Sequence, residues 1–176
     1  MSQPASIDPR DWIRDIPDFP KPGILFKDIT PLLSNAEALK VVVEQLASQF
    51  KDRGIDAVAA AEARGFLFGT PLALALNVGF IPIRKPGKLP YKTVTQQYAL
   101  EYGSDQVEMH SDAVKPGQRI LLMDDVLATG GTMRACCDLI IQAGAEVVAC
   151  AFVVELAFLE GRAKLEPTEI FSLITY

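Results

Sequence analysis

The sequence predicts a single α/β domain with a central, mostly parallel, twisted sheet flanked by helices. Segments of strand length alternate along the chain with segments of helical periodicity. Two of the strand segments, residues 119–124 and 147–154, have a continuous apolar middle, as expected of parallel strands that are covered on both faces. With 176 residues, 49% of them apolar, the chain can form one real core but is too short for two ordinary domains. Its functional groups must therefore share one site or the rim of that site.

The N-terminal stretch up to residue 31 is dense in proline. Because proline fixes its backbone and lacks an amide donor, we expect this stretch to run extended over the surface, apart from a short helical turn around residues 12–14. Ser34 and Glu37 then form a capping-box pattern, and apolar side chains recur at helical spacing until Gly54. This pattern predicts an amphipathic helix.

The middle of the chain is predicted to form a strand, a helix and a second strand. Residues 57–61 are a short apolar run, and a turn at residues 62–65 leads into a helix that ends near Leu76. Residues 80–84 form the next predicted strand. Residues 85–97 contain proline, glycine, lysine and threonine without apolar periodicity, which predicts a long exposed loop.

The C-terminal part is predicted to hold a hairpin and three further strands. Residues 98–102 and 106–110 alternate around a turn at residues 103–105, which predicts the hairpin. The remaining predicted elements are a turn at residues 115–118, the apolar strand 119–124, a helix over 132–143, a strand over 147–154 and a short final strand over 170–174. Strands that alternate with helices imply a right-handed parallel sheet, whose ligand crevice lies beyond the carboxyl ends of the strands.

Composition and charge exclude several classes of protein. The net charge of −5, from 17 basic and 22 acidic side chains, argues against binding to nucleic acid or to an anionic membrane. No secretory leader pattern is present, and no segment approaches the roughly 20 apolar residues that span a bilayer. We therefore expect a cytoplasmic protein.

The cysteines and the single histidine offer little material for metal or triad chemistry. Cys136, Cys137 and Cys150 form no CxxC spacing, so we expect reduced thiols that pack in the core. His110 alone cannot supply a histidine-rich zinc site, and a Ser/His/Asp triad is equally disfavoured. We expect His110 in a loop or in an edge strand.

Residues 120–132 carry the chemistry. Asp124 and Asp125 end a predicted buried strand, where carboxylates can accept from vicinal sugar hydroxyls and orient a magnesium-bound ligand. The following turn lets backbone amides approach an anion, and the N-terminus of the next helix adds a favourable dipole. The turn consists of Ala128, Thr129, Gly130, Gly131 and Thr132. This pattern predicts a site for ribose 5-phosphate; the alternative is that the acids cap the helix and the glycines form a plain turn.

The order of an apolar strand, two acids, small residues and Thr-Gly-Gly-Thr closely resembles the phosphoribosyl pyrophosphate signature of the type I phosphoribosyltransferases. Nearly the whole chain is similar to the adenine-specific branch of that family. The resemblance implies a type I core over residues 34–176, a small N-terminal hood over residues 1–33 and a flexible β-hairpin loop. It also implies a homodimer, and Mg²⁺ as cofactor, held mainly by substrate and water near Asp124 and Asp125, with no direct protein ligand.

The same resemblance implies the reaction of purine salvage in which adenine and phosphoribosyl pyrophosphate give AMP and pyrophosphate. Residues 19–31 resemble the hood of that branch. There, Phe26 is expected against the purine ring, while the main chain of Leu25 and Lys27 reads its edge. Without the resemblance, Phe26 would be expected in the core.

Two further segments resemble the pyrophosphate-binding parts of the family. In the segment 61–66, the resemblance implies that the backbone of Glu62 and Ala63 and the guanidinium of Arg64 contact the leaving group. From the residues alone, a surface salt bridge of Arg64 is an equal alternative.

The second of these segments is basic and spans residues 84–90. In an acidic chain its cations favour a polyanion, and the resemblance implies that Arg84 and Lys88 bind pyrophosphate, in some relatives across a dimer interface. A solvated basic loop is the alternative.

Residues 98–103 resemble the end of the catalytic loop of the family. The resemblance implies that Glu101 handles a proton at the imidazole side of adenine and that Tyr102 helps to close the site. A carboxylate serves as a general acid or base only where its surroundings tune its pKa. An exposed hairpin glutamate is therefore the alternative for Glu101.

Two other functions compete with this interpretation. One is a transferase for hypoxanthine, guanine or xanthine, which would share the phosphate site and read a carbonyl on the base. The other is a regulator that senses phosphoribosyl pyrophosphate and binds nucleic acid. The chain lacks a basic helical domain ahead of the signature, and its acidic balance counts against the regulator.

Overall fold

The computed structural model describes residues 7–99 and 104–176 of the chain. Two compact units make up this part of the protein, one extending to Gln45 and the other running from Leu46 to Tyr176. Within the described ranges, no helix combines the length and the apolar character that a bilayer crossing requires. That both units form one functional domain stays a prediction.

The proline-dense stretch of the first unit is extended, as predicted, but it is also paired. β1 (Arg14–Pro17) and β2 (Leu25–Asp28) form an antiparallel two-stranded sheet. The predicted helical turn is a 3-10 turn at Pro9–Trp12, which is earlier than the expected residues 12–14. It begins there because the side chain of Asp8 caps it, accepting an amide of its first turn at 2.9 Å.

The capping box predicted at the start of the main helix is wrong. A short helix, α1 (Thr30–Ser34), precedes α2 (Ala36–Phe50). Ser34 is the last residue of α1, and its hydroxyl donates to a carbonyl one turn earlier at 3.0 Å. Asn35 caps α2 instead, because its side-chain oxygen accepts an amide of the first turn at 2.9 Å. The helix ends with Phe50, before the predicted limit.

Replacing Asn35 by alanine is expected to lower the free energy of unfolding by about 1 kcal/mol, because α2 then loses its side-chain cap. The matched control is Ser34→Ala, which leaves that cap in place and should change stability by less than roughly 0.5 kcal/mol. Urea unfolding of both variants beside the wild type measures the difference. A larger loss of stability for Ser34→Ala than for Asn35→Ala would indicate that Ser34 caps the helix after all.

The second unit contains a five-stranded parallel sheet, which confirms the predicted fold class. The strand order is β4-β3-β7-β8-β9, and every neighbouring pair in it is parallel. The helices and strands of this unit, beyond the end of α2, are β3 (Ala57–Ala61), α3 (Gly65–Leu76), β4 (Gly79–Ile83), β5 (Thr93–Ala99), β6 (Ser104–His110), β7 (Arg119–Leu127), α4 (Gly131–Gln142), β8 (Glu146–Glu155) and β9 (Ile170–Thr175). Two 3-10 turns, at Ala157–Leu159 and Gly161–Lys164, connect β8 to β9.

The core of this unit lies around β3, β7 and β8. Every residue of β3 is buried, and its small side chains let α3 approach closely: a Cβ added at Gly69 would lie 2.9 Å from the Cβ of Ala60. The three cysteines are buried free thiols, which confirms their predicted role in packing.

The predicted loop over residues 85–97 is wrong for its second half. Residues from Thr93 onwards form β5, which pairs antiparallel with β6, as the predicted hairpin requires. Ser104 and Asp105, which were predicted in the turn, already belong to β6, and residues 100–103 lie outside the described residues. Val94 and Tyr98 of β5 pack against the core, while threonine and glutamine occupy the positions between them. Gln96 shares the face of Val94 and Tyr98, and this polar side chain conceals the two-residue period of the strand. His110 ends β6, as expected of a histidine in an edge strand.

Candidate active site

A cavity of about 340 Å³ lies beyond the carboxyl ends of β3 and β4 and beside the C-terminal half of β7, at the edge of the sheet where the sequence predicted a ligand crevice. Two cations and three carboxylates face it, so its lining is strongly charged. The lining residues are Glu62, Ala63, Arg64, Lys85, Val107, Asp124, Asp125 and Thr132.

The two acids lie within β7 and not after its end. The strand continues to Leu127 because its last residues still pair with β8. A side-chain oxygen of Asp124 accepts the amide of Asp125 at 2.9 Å. The first residue of α3, Gly65, packs directly on this carboxylate, since a Cβ there would lie 2.9 Å from the same oxygen. Backbone contacts therefore hold Asp124 in place.

Asp125 is almost completely buried and forms an ion pair with Arg64. Its Oδ2 lies 2.6 Å from Nε of Arg64, whose side chain is half exposed toward the cavity. The ion pair that the sequence offered as an alternative for Arg64 is therefore present, but it lies in the cavity and not on an open surface. One side of the guanidinium is held by Asp125, and the exposed fraction of the side chain is accessible from the cavity.

The carboxyls of Asp124 and Asp125 both bind protons more tightly than an isolated aspartic acid does. Burial, together with the neighbouring charge of Asp125, raises the pKa of Asp124 well above its ordinary value. Burial also raises the pKa of Asp125, although the charge of Arg64 opposes this effect. A neighbouring cation or a hydroxyl donor would relieve the repulsion between the two carboxylates.

Asp124→Asn is expected to stabilise the protein at mildly alkaline pH. Because the folded pKa of Asp124 lies above its ordinary value of 3.8, the folded state binds more protons than the unfolded state between these two values, and stability falls as the pH rises through that window. An asparagine keeps the acceptor oxygen and carries no charge. Urea unfolding at a series of pH values should show an advantage of the variant that disappears toward the lower end of this window. A variant less stable than the wild type at alkaline pH would contradict the prediction.

The predicted phosphate turn joins β7 to α4 and presents the N-terminus of that helix. Gly130 is the N-cap residue, with φ of +78°, and no side chain caps the helix. The alternative in which the two aspartates cap this helix is therefore wrong. The first turn of α4 contains no acidic side chain, so nothing there repels an anion. Thr132 lines the cavity, and its hydroxyl donates to the Tyr98 hydroxyl at 3.2 Å.

The side chain of Glu62 organises the basic segment after β4. Its carboxylate accepts from Nε and Nη2 of Arg84 at 2.9 and 2.8 Å, and from the amide of Lys85 at 2.6 Å. Desolvation works against its charge, yet these hydrogen bonds and the charges of Arg84 and Lys88 lower the pKa of Glu62 below its usual value. Glu62 therefore contributes through its side chain as well as through its backbone. Lys88 is exposed and does not line the cavity.

Lys85 is a cavity residue that the sequence analysis did not single out. Its ammonium donates to the Tyr98 hydroxyl at 2.8 Å and forms an ion pair with Asp105. Tyr98 and Asp105 face each other across the β5–β6 hairpin. Lys85 lies between Arg84 and Lys88 in the same basic segment. Of the three cations, only Lys85 lines the cavity, and this difference follows from contacts in the folded chain.

The predicted base-binding residues belong to β2 in the first unit. Phe26 is partly buried and meets the ring of Phe19 edge-on, with centroids 5.2 Å apart. Leu25 is half exposed, and the ammonium of Lys27 lies 2.7 Å from a carboxylate oxygen of Asp15. The two residues predicted to work on the base from the catalytic loop, Glu101 and Tyr102, lie outside the described residues.

Comparison with known proteins identifies the family. The phosphoribosyl transferase domain matches residues 30–173. The adenine phosphoribosyltransferase of Rhodopirellula baltica is 57% identical over 97% of this chain and 82% of its own length, and that of Halothermothrix orenii is 54% identical over 94% and 97%. The crystal structure of adenine phosphoribosyltransferase from Thermoanaerobacter pseudethanolicus superposes with a TM-score of 0.92 at 53% identity, covering 95% of this chain and 97% of that one. The chain therefore belongs to the adenine phosphoribosyltransferases of the phosphoribosyl transferase family.

Proposed function

We propose that this chain transfers the phosphoribosyl group of phosphoribosyl pyrophosphate to adenine, giving AMP and pyrophosphate. One observation carries the proposal most directly: a pair of carboxylates and Thr132, in the first turn of a helix that has no side-chain cap, line the same cavity as Arg64 and Lys85. A sugar phosphate needs the first two features, and a pyrophosphate leaving group needs the two cations.

In this proposal the turn 128–132 holds the 5-phosphate. The amides of Ala128, Thr129, Gly130 and Gly131 and the hydroxyl of Thr132 supply the donors, and the dipole of α4 favours the negative charge. Asp124 and Asp125 accept from the ribose hydroxyls. Anchoring the sugar at both ends fixes C1′ relative to the incoming base, which converts an encounter of two molecules into a reaction of fixed geometry.

The pyrophosphate is proposed to lie along the segments 62–64 and 84–88. Arg64, Arg84 and Lys88 were expected to meet it from the sequence, and we add Lys85 because its ammonium lines the cavity. Negative charge grows on pyrophosphate as the bond to C1′ stretches, so cations that are already in place stabilise the transition state more than the ground state. The carboxylate of Glu62 keeps Arg84 and the amide of Lys85 oriented.

The base is proposed to be read by Phe26, with the main chain of Leu25 and Lys27, and to exchange its proton through Glu101, with Tyr102 closing the site. Support comes from relatives whose structures hold such ligands. The Saccharomyces cerevisiae enzyme, 40% identical with a TM-score of 0.88, was crystallised with adenine and an imino-altritol bisphosphate. The Giardia lamblia enzyme, 37% identical, was crystallised with 9-deazaadenine.

Magnesium is proposed as the cofactor. Among the described residues, no group of three or more His, Cys, Asp or Glu side chains is arranged to hold a metal ion. Asp124 and Asp125 line the cavity, where their carboxylates would accept from water molecules of a Mg²⁺ ion held by the substrate phosphates, since Mg²⁺ usually keeps several waters. When bound, the ion neutralises charge on the pyrophosphate oxygens. The raised pKa values of Asp124 and Asp125 support this proposal, because a nearby positive charge would offset the cost of burying these carboxylates.

A homodimer is proposed from an exposed apolar face of α3. Leu67 and Leu74 are separated by two helical turns on one face, and Leu74 is 77% exposed. A second copy of this chain is the proposed occupant of that face. Sedimentation of the wild type and of Leu74→Asp tests this: a dimer that dissociates in the variant supports the proposal, and a monomeric wild type overturns it.

The free, buried cysteines fit the reducing cytoplasm, which we propose as the location.

Rate measurements with adenine, hypoxanthine and guanine, each with phosphoribosyl pyrophosphate and magnesium, test the activity. We expect AMP formation from adenine to dominate, because a site that pairs an amino group leaves its partners unsatisfied with an oxopurine. A preference for an oxopurine would overturn the base assignment.

A gel-shift at physiological salt tests the regulator, and binding to nucleic acid without AMP formation would favour that second function.

A further inference from the structure

The connection after β8 presses directly against the phosphate turn. Gly161 lies directly against Ala128 and Gly130, and residues 160–162 are called the brace here. A Cβ added at Gly161 would overlap the carbonyl oxygen of Ala128 and lie 2.9 Å from a methyl carbon of Leu127. Conversely, a Cβ at Gly130 would lie 2.5 Å from the carbonyl oxygen of Gly161. The two backbones are therefore in contact without any side chain between them.

Space alone requires glycine at position 161. Gly130 has φ of +78°, a conformation that disfavours other residues whatever the space around it. Gly161 is not among the residues with positive φ, so an alanine could adopt its backbone conformation without strain. Whatever an alanine changes at position 161 must then come from pushing the brace and the phosphate turn apart.

The brace is anchored where β8 ends, so it does not yield easily. Arg162 donates through Nε and Nη2 to the two carboxylate oxygens of Glu155, each at 2.6 Å, and Glu155 is 4% exposed. This paired arrangement lowers the pKa of the Glu155 carboxyl, so it remains ionised at neutral pH. The amide of Leu156 donates to the carbonyl of Leu127 at 2.9 Å, which ties the same connection to the end of β7.

We propose that Gly161 is a positioning residue for the transfer reaction. By contacting Ala128 and Gly130, Gly161 of the brace fixes the position of the phosphate turn and thus the direction in which its amides meet the 5-phosphate. Gly161 does not line the cavity and acts only through the turn. This inference rests on the proposed function, because it assumes that the turn holds the phosphate of ribose 5-phosphate.

The test compares Gly161→Ala with Gly79→Ala in the full-length protein. Gly79 also lacks a positive φ, but a Cβ there would meet nothing within 4 Å. Calorimetric titration with ribose 5-phosphate and, separately, with pyrophosphate measures the two halves of the site without turnover. We expect Gly161→Ala to weaken ribose 5-phosphate by about tenfold or more and to leave pyrophosphate unchanged, since a displacement of about 1 Å in a positioning group has effects of this order or larger. Gly79→Ala should change neither affinity.

Several outcomes would overturn the proposal. These are a folded Gly161→Ala protein with unchanged affinity for ribose 5-phosphate, or equal losses for ribose 5-phosphate and pyrophosphate. Should Gly161→Ala fail to fold, Arg162→Lys loosens the anchor at Glu155 without adding a side chain to the contact. It should weaken ribose 5-phosphate selectively and raise KM for phosphoribosyl pyrophosphate with the KM for adenine unchanged, and equal changes in both KM values would contradict the brace. A wild type that binds ribose 5-phosphate and forms no AMP would contradict the proposed function alone, because the brace is tested by binding.

Discussion

Arg64→Gln is expected to lower kcat/KM for phosphoribosyl pyrophosphate by about 10²–10³-fold, the range found when one pre-positioned donor to a developing negative charge is removed. Arg64 faces the cavity while Asp125 holds its Nε at 2.6 Å, so the guanidinium is oriented before the substrate arrives. Glutamine keeps some of the hydrogen-bonding capacity and removes the charge. Since the charge on pyrophosphate grows in the transition state, most of the loss should appear in kcat.

Arg53→Gln is the matched control for this change. Arg53 also forms an ion pair, with Glu169 at 2.7 Å, but it lies away from the cavity. Exposed ion pairs of this kind contribute little to stability, so kcat/KM should stay within about twofold of the wild type. Steady-state rates of AMP formation at varied phosphoribosyl pyrophosphate measure both variants. If Arg64→Gln behaved like the control, the guanidinium would have no part in stabilising the leaving group.

Asp125→Asn is expected to lower kcat/KM by roughly a hundredfold, since hydrogen bonds to a charged group contribute about 1.5–3 kcal/mol. The asparagine fits the same space but presents a donor where the carboxylate accepted from the sugar. It also leaves Arg64 without its charged partner at 2.6 Å, so the guanidinium is less firmly oriented. The effects of Asp125→Asn and Arg64→Gln should therefore be non-additive when the two changes are combined.

Asp138→Asn provides the corresponding control. Asp138 forms an ion pair with Arg134 one turn away on α4, outside the cavity lining. Its loss should leave kcat/KM nearly unchanged, and circular dichroism should confirm that both asparagine variants are folded. Equal losses of kcat/KM in the two folded variants would contradict a specific role of Asp125 in the reaction.

The parts of the fold that the sequence predicted well include short apolar runs that end at a turn. Residues 57–61 were predicted as a strand and form β3 with the same bounds, because the run is too short for a helix and a turn follows it directly. The cap of α2 was misassigned because Ser34 and Asn35 are adjacent and equally capable, and only the backbone of α1 decides between them. Residues 93–97 of β5 were missed because Gln96 occupies the core-facing position between Val94 and Tyr98, where the two-residue period of a strand calls for an apolar side chain.

In the candidate site, too, the residues that form a contiguous pattern were predicted, and those that depend on long-range contacts were not. The acids and the phosphate turn lie within the short stretch 120–132, where the pattern is contiguous and could be recognised. Gly161 could not be found in this way, and the sequence indicated Lys85 only as one of the three cations of the basic segment. Lys85 reaches the cavity because Glu62 accepts hydrogen bonds from the neighbouring Arg84. Gly161 is close to the phosphate turn because the connection after β8 packs against Ala128 and Gly130. Contacts between distant segments decide the roles of these two residues.

The strand order has a consequence for the durability of the site. β7 is the middle strand of five, with two strands on either side, so neither of its edges is open. Local fraying starts at edges and termini, and the amides of a central strand exchange with solvent only when the whole unit unfolds. Hydrogen–deuterium exchange should therefore be slowest along this strand. The two aspartates on this strand would then keep the same distance from each other each time a ligand binds and leaves.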